Sequence, residues 1–456
     1  MKTPATMNEN LPGTRAVPGW RGLRPAPALL LLIAALVIPG GLAIGGLLPL
    51  WALGAAALAL AALAAGDALA LRAQASPEVR RTLPAVVPVG VEREVALTLR
   101  RLGRSAITID VHDLHPGGWT ARDLPQRLRL TDTRPLTLRY RLTPAERGPA
   151  RFDGVALRLR SPLGLWQQLR VTGPDAALRV FPNFAPLARL ALIGAEQASR
   201  VVGAHLRRRR GEGTEFQQLR EYRTGDAMRQ IDWKASQRAR KLISREYQDE
   251  KNQQLLLLLD SGRRMLARDD ALSHFDHALN ATLLVAHMAL RQGDAVGLMC
   301  FGSELRHVPP SRGPGTVDVL MDAVYDLKPS MVASDYPGAA AELLRRQPRR
   351  ALLIMVTNVR DEDIDELLLA VQQLKRRHLV CVASLREAIV DRTLADAPTD
   401  PDSALLSAAM ALYAEARTRA HAQLRAHGAE VLDVTAPELP AALVEHYLAI
   451  KRAGRL

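Results

Sequence analysis

The spacing of apolar and polar positions changes character along the chain, and each change predicts a different kind of element. Between Ala26 and Leu71 charge is absent apart from Asp67. About 20 apolar residues cross a hydrocarbon core, so this run is long enough for two passes. Pro39-Gly40-Gly41 and Gly45-Gly46 interrupt its first half, and Pro49 marks a turn between Ala28 to Leu48 and Leu50 to Leu71. The pattern predicts a transmembrane helical hairpin over 26–72. A signal peptide followed by one helix fits less well, because an h-region runs to only ~7–15 residues and no small-residue cleavage site closes this one.

Residues 77–185 alternate instead with period two, in Val91 to Leu99, Ile107 to Val111, Arg127 to Leu130, Leu136 to Leu142 and Val155 to Leu159. Pro116-Gly117-Gly118, Gly148-Pro149 and Ser161-Pro162-Leu163-Gly164 punctuate them. Short strands with turn signals between them predict an all-β, sandwich-like domain. Residues 186–253 read as a charged connector with aromatic insertions.

From 254 to 456 the pattern becomes α/β. Gln254 to Leu259, Asp294 to Phe301, Arg350 to Thr357, His378 to Ser384 and Glu430 to Val434 read as buried strands. Helical stretches lie between and after them, at Ala271 to Arg291, Thr316 to Leu327, Tyr336 to Arg346, Asp361 to Arg377, Ser403 to His427 and Pro437 to Arg452. Strands apolar on both faces, alternating with amphipathic helices, predict a parallel sheet covered on both sides. Binding residues on such a fold collect at the C-terminal ends of the strands, here Asp260, Phe301, Thr357 and Asn358.

Charge adds an orientation. The 456-residue chain carries a formal +14, with arginine dominant and dispersed. Lys2, Arg15, Arg21 and Arg24 precede the first span, Arg72, Arg80 and Arg81 follow the second, and the turn between carries none. Basic residues on both outer flanks put both ends in the cytoplasm. The expectation is a cell inner-membrane protein with a cytoplasmic tail over 1–25 and cytoplasmic soluble domains, its basic surface facing anionic lipid. Asp67 is expected at the membrane interface or against the partner helix. The run Arg207 to Arg210 has no nucleic-acid motif around it, so nucleic acid is not an expected partner. Two cysteines, Cys300 and Cys381, are too few for a disulfide framework and read as core. His274 with His277, and His112 with His115, lack further ligands and read as surface pairs.

The connector holds the densest motif. Its series runs Glu215-Phe216, Leu219-Arg220-x-Tyr222, Gly225-Asp226, then Arg229-x-Ile231-Asp232-Trp233-x-x-Ser236. It resembles the signature of the domain-of-unknown-function 58 family. The two spans and a β domain containing Arg147-Gly148 and Pro162-Leu163-Gly164-Leu165 extend the resemblance over nearly the whole chain. The resemblance implies a von Willebrand factor A-like (Rossmann-type) α/β domain over 254–456. It also implies partnership with a MoxR-type AAA ATPase and with a transglutaminase-like membrane protein, in assembly or maturation of other proteins or in envelope and stress processes. By residue type the segment is either a salt-bridged stretch packing Trp233 against the α/β domain or a docking surface, since Trp, Tyr and Arg anchor interfaces.

Domains of the von Willebrand A type often hold a cation through an Asp-x-Ser-x-Ser series, a Thr and a late Asp. Carried over, Asp260 matches the first Asp, Gly262 and Arg264 stand where the serines belong, Ser334 (followed by Asp335) replaces the Thr, and Asn358 takes the late Asp position. Hard cations such as Mg²⁺ want oxygen ligands, and Arg263 and Arg264 bring competing positive charge. The site therefore reads as degenerate, with Asp260 expected to pair with an arginine or cap the following loop, and no cofactor beyond a residual chance of Mg²⁺. No nucleophile–base constellation accompanies it. The expectation is a non-enzymatic, membrane-anchored adaptor. The alternatives are a metal-dependent membrane-bound enzyme centred on Asp260 and, less well supported, a nucleic-acid-binding protein.

Overall fold

The structure is a computed structural model and describes residues 22–103, 106–131, 134–184, 215–223, 228–248, 253–269 and 272–455. The chain divides into two units, Met1–Phe181 and Pro182–Leu456.

The first unit opens with a short strand, β1 (Leu23–Pro25), then α1 (Pro27–Ala35), α2 (Val37–Ile44) and α3 (Leu50–Ala73). Pro39 lacks an N–H and its ring crowds the carbonyl of Ala35, so the first apolar run is two helices broken at Leu36 rather than one. Pro27–Ile44 and Leu50–Ala73 are each long and apolar enough to cross a membrane. The strands that follow are β2 (Glu78–Thr82), β3 (Val86–Pro88), β4 (Arg93–Arg100), β5 (Ile107–Asp113), β6 (Thr120–Arg122), β7 (Gln126–Leu130), β8 (Leu136–Thr143), β9 (Gly148–Phe152), β10 (Val155–Arg160), β11 (Trp166–Thr172) and β12 (Ala176–Phe181). They form sheets ordered β1-β11-β10-β5-β7, β2-β4-β8-β6 and β3-β12-β9. The period-two residues meet in one core, Leu97 and Leu99 of β4 with Ile109 and Val111 of β5 and Leu157 and Leu159 of β10.

Two features of this unit go beyond the sequence reading. β1 falls in the stretch assigned to the tail, yet it pairs antiparallel with β11, Leu23 opposite Gln168 and Pro25 opposite Trp166. Three residues are too few to show a period. Asp67, expected at the membrane interface or against the partner helix, has protein partners that the sequence does not suggest. It is buried, and it accepts hydrogen bonds from the backbone N–H of Leu163 (2.9 Å) and Leu165 (3.2 Å).

At the centre of the β unit sits an ion pair. Arg81 donates from Nη2 and Nε to Asp113 at 2.6 and 3.0 Å, and Tyr140 OH donates to the same carboxylate at 2.5 Å. The guanidinium also donates to the Pro174 and Gly154 carbonyls and stacks 4.5 Å over the Phe152 ring. Burial pushes the Tyr140 hydroxyl far up, and the Asp113 charge adds to it.

The second unit begins, among described residues, with β13 (Glu215–Glu221) and β14 (Ile243–Gln248), an antiparallel pair whose connection carries α4 (Trp233–Ala239). The expected connector is thus a folded hairpin. The main sheet uses β15 (Gln254–Asp260), β18 (Ala295–Phe301), β19 (Arg306–Ser311), β20 (Leu352–Thr357), β21 (Leu379–Arg386) and β22 (Glu430–Thr435), with β16 (Arg268–Asp269) and β17 (Leu272–Ser273) a small hairpin beside it. Its order is β19-β18-β15-β20-β21-β22, parallel except for β19. The helices are α5 (His274–Arg291), α6 (Thr316–Val324), α7 (Tyr336–Arg346), α8 (Ile364–Leu374), α9 (Ala388–Ala395), α10 (Pro401–Ala426) and α11 (Leu439–Arg452). α5, α6 and α11 cover one face of the sheet, and α7, α8 and part of α10 the other. From β15 the chain moves outward to β18 on one side and later to β20 on the other. The order therefore reverses at β15, whose C-terminal end is Asp260, and that is where open α/β sheets hold ligands.

Candidate functional site

Asp260 is fully buried and its two oxygens accept four hydrogen bonds. Oδ1 takes Gly262 N at 2.8 Å and Ser334 Oγ at 2.5 Å. Oδ2 takes Thr357 Oγ1 at 2.6 Å and Tyr336 OH at 3.3 Å, and those two hydroxyls lie 3.0 Å apart. The sequence places the donors economically. Asp335 N-caps α7 by accepting from Gly338 N, and the residues on either side of it, Ser334 and Tyr336, both turn to Asp260. Burial pushes the Asp260 carboxyl above its usual range, against the pull of Ser334, Thr357, the Gly262 N–H and Tyr336.

The close approach of the loop needs glycine at two positions. A Cβ on Gly262 would meet Ser334 Oγ at 2.1 Å, and one on Gly302, whose φ is +110°, would meet Gly262 N at 2.6 Å. Arg263 and Arg264 face away from Asp260: Arg264 pairs with Asp363 at 2.8 Å and with Glu362, and Arg263 approaches Asp363 at 3.6 Å. The expected Asp260–arginine pair does not form, because acidic residues after β20 take both guanidiniums. The loop cap does form, through Gly262 N. Asn358 does not join the cluster either. Its amide spans Glu387 (2.8 Å) and Arg417 (2.9 Å), within a network in which buried Arg417 also binds Asp433, Ser384 and the Val359 and Leu385 carbonyls.

The motif segment divides its residues between two tasks. Asp232 caps α4 by accepting from Ala235 N at 3.0 Å and pairs with Arg245 of β14 at 2.9 Å; these two contacts hold its carboxyl below the usual range. Ser236 accepts from Ile243 N at 2.9 Å and donates to the Asp232 carbonyl at 2.7 Å, and Ile231 is buried. These hold the hairpin to its helix. Trp233, in contrast, is 63% exposed, with Leu219, Met228 and Leu242 also exposed. Leu219, Asp232, Lys234, Ala235, Arg238 and Ala239 line an open groove beside it. Trp233 therefore does not pack into the α/β core as one reading of the segment had it. Arg220 donates to the Glu221 carbonyl at 3.0 Å, and Glu221 pairs with Lys241. Tyr222 is half-buried. Gly225 and Asp226, like Arg207 to Arg210, lie outside the described residues, as do the side chains of Glu215, Phe216 and Arg229.

The family described as a protein of unknown function, DUF58, matches residues 218–429. That span runs from the hairpin through the Asp260 cluster to the residue before β22. Residues 218–429 belong to the DUF58 family. The DUF58 segment thus takes in Trp233 and Asp260 together.

An uncharacterised protein of Bacillus subtilis (strain 168), YeaD, is 27% identical over 185 residues, 40% of this chain. The match spans 43% of that relative's length. Among solved structures, an aerotolerance-related membrane protein from Bacteroides fragilis NCTC 9343 with multiple mutations to serines is 15% identical, over 44% of this chain and 99% of that one, at a TM-score of 0.29. Proximal thread matrix protein 1 from the mussel byssus is 8% identical, over 44% of this chain and 46% of that one, at 0.26.

Within the DUF58 segment His274 also departs from expectation. It is fully buried, not on the surface, with Nε2 3.0 Å from Asp269 Oδ2, and His277 is half-buried beside it. Burial pushes the His274 ring down despite the Asp269 charge. Asp269 also accepts from Ala388 N at 3.2 Å, tying the β16–β17 hairpin to α9. Cys300 and Cys381 are buried, and burial pushes the Cys381 thiol up.

Sequence reasoning reached Asp260, Ser334 and, as a strand end, Thr357, but missed Tyr336. The cue for Tyr336 was its place one residue beyond a helix cap, two residues after Ser334.

Proposed function

We propose that this chain is a membrane-anchored, non-enzymatic adaptor whose motif segment docks a partner protein, a MoxR-type AAA ATPase, with a transglutaminase-like membrane protein as a further associate. The α/β unit is read as von Willebrand factor A-like. The helices α1 to α3 cross the cell inner membrane with both ends cytoplasmic, on the argument of the basic flanks at Arg24 and Arg72. The process served is assembly or maturation of other proteins, or an envelope or stress response.

One observation supports the docking role most directly. Asp232 and Ser236 of the motif are used internally, and Trp233 stands 63% exposed beside a groove with Lys234 and Arg238 on its wall. An exposed Trp flanked by basic side chains is the composition of an interface anchor. The Asp260 cluster, with every carboxylate lone pair engaged, fits a structural role in holding the strand ends together.

The test is a pull-down of purified MoxR-type ATPase on the detergent-extracted chain, with Trp233→Ala and Arg220→Ala beside wild type. A Trp at an interface centre contributes about 2 kcal/mol or more, so recovery with Trp233→Ala should fall more than about tenfold. Equal recovery by all three overturns the docking reading.

A further inference from the structure

The turn 161–165 meets α3 inside the apolar run, not at its end. Asp67 accepts from Leu163 N and Leu165 N, and Trp166 Nε1 donates to the Ala64 carbonyl at 2.8 Å. Leu165 packs in a cluster with Leu29 of α1 and with Leu60 and Ala64 of α3. Ala26 N donates to the Leu165 carbonyl at 2.8 Å, which fixes the turn at the point where α1 begins. Arg170 of β11 closes the end of α3, donating to the Leu71 and Gln74 carbonyls at 2.9 and 2.6 Å.

Length then decides the depth. At about 1.5 Å per residue, Asp67 lies ~26 Å along α3 from Leu50, against a hydrocarbon core ~30 Å thick. A helix that enters the core at Leu50 carries Asp67, and the turn bonded to it, into the boundary of the opposite leaflet.

The turn is chemically suited to that place. Backbone N–H groups left without acceptors are costly in lipid, and here none is left. Ser161 N donates to the Trp166 carbonyl, Gly164 N to the Ser161 carbonyl, Trp166 N to Ser161 Oγ, and Leu163 and Leu165 to Asp67. Pro162 has no N–H. At the tip Leu163 is 58% exposed, and on the adjoining turns of α3 Leu69 is exposed and Arg72 follows. Apolar tip, satisfied backbone and flanking cation are the features of a segment lying in the headgroup–acyl boundary.

We infer that the turn 161–165 is a third membrane contact, inserting Leu163 into the lipid boundary beside α3 and holding the β unit against the bilayer surface. This rests on the reading of α1 to α3 as membrane-spanning, and the experiment separates the two. The full chain is reconstituted in phosphatidylcholine–phosphatidylglycerol vesicles containing phospholipids brominated at shallow or deep acyl positions. An environment-sensitive fluorophore is placed singly at Leu163→Cys, at Leu58→Cys on the exposed face of α3, or at Glu94→Cys on β4. The native thiols, Cys300 and Cys381, are buried and stay unlabelled. Quenching by about twofold or more at Leu163 with shallow bromines, by deep bromines at Leu58, and none at Glu94 is the expected pattern. Quenching at Leu58 with Leu163 behaving like Glu94 overturns the inference and leaves the spans standing. An unquenched Leu58 overturns the spans and the inference with them.

Discussion

A Cβ placed on Gly262 would stand 2.1 Å from the Ser334 hydroxyl oxygen and 3.2 Å from Asp260 Oδ1. The space beside position 262 is therefore already filled by the side chain that binds Asp260. A serine placed there alone overpacks the loop and should destabilise the protein by about 1–3 kcal/mol. Gly262→Ser with Ser334→Gly should cost less than the sum of the two single changes. Thermal unfolding of the detergent-solubilised chain, with the four variants compared, reads both numbers, and additive losses would refute the coupling.

The Arg81–Asp113 pair offers a sharper stability test. Both side chains are buried, so deleting one strands the other's charge, a loss of about 3–5 kcal/mol. Asp113→Ala should lower the midpoint far more than Tyr140→Phe, which removes a single 2.5 Å hydrogen bond, about 1–2 kcal/mol. Similar midpoints for the two would place the stabilisation elsewhere.

Neighbours in the motif should behave oppositely. Asp232→Ala removes the α4 cap, which costs about 1 kcal/mol, and releases Arg245. Trp233→Ala, at an exposed site, should change stability by less than about 0.5 kcal/mol. Hydrogen exchange at the amides of β14 is the readout: faster in Asp232→Ala, unchanged in Trp233→Ala.

His378 makes the second unit acid-sensitive. Its ring is buried without a hydrogen-bond partner for either nitrogen among the described residues, and burial, with Arg377 nearby, pushes it down to about 4. Burial and the guanidiniums of Arg417, Arg425 and Arg386 likewise outweigh Asp433 at His421 and push that ring to about 4. Below the ordinary histidine value the unfolded chain binds the proton first. The contribution is therefore complete above about pH 6.5 and is lost as pH falls toward 4. The loss at His378 is on the order of 1–3 kcal/mol. Unfolding midpoints measured between neutral and mildly acidic pH should fall less steeply in His378→Leu than in wild type; parallel slopes would exclude it.

Legibility in the sequence followed how local each cause was. The central strands were plain, because each is an uninterrupted apolar run. Tyr336–Arg346 was located to the residue, since Asp335 and Pro337 fix its start. β19 escaped because Pro309 and Pro310 break its alternation, which an edge strand tolerates. The β13–β14 hairpin escaped because charges crowd its sequence and its pairing spans the whole of α4. At the site, Asp260 announced itself as the polar end of an apolar strand. Its partners Tyr336 and Thr357 lie 76 and 97 positions away, and no pattern within a window connects them. For His274 a nearby clue existed in Asp269, five residues earlier, but charge pairing does not reveal depth.

The pairing of β1 with β11 bears on where the molecule can be cut. β1 precedes the helices and its partner follows them, so a truncation that simply discards everything before Glu78 also strips an outer strand from the five-stranded sheet. The bared rim of β11 and the hollow left around Leu165 would then invite edge-to-edge aggregation. A water-soluble β fragment needs residues 22–26 grafted back through a short linker in place of the helices.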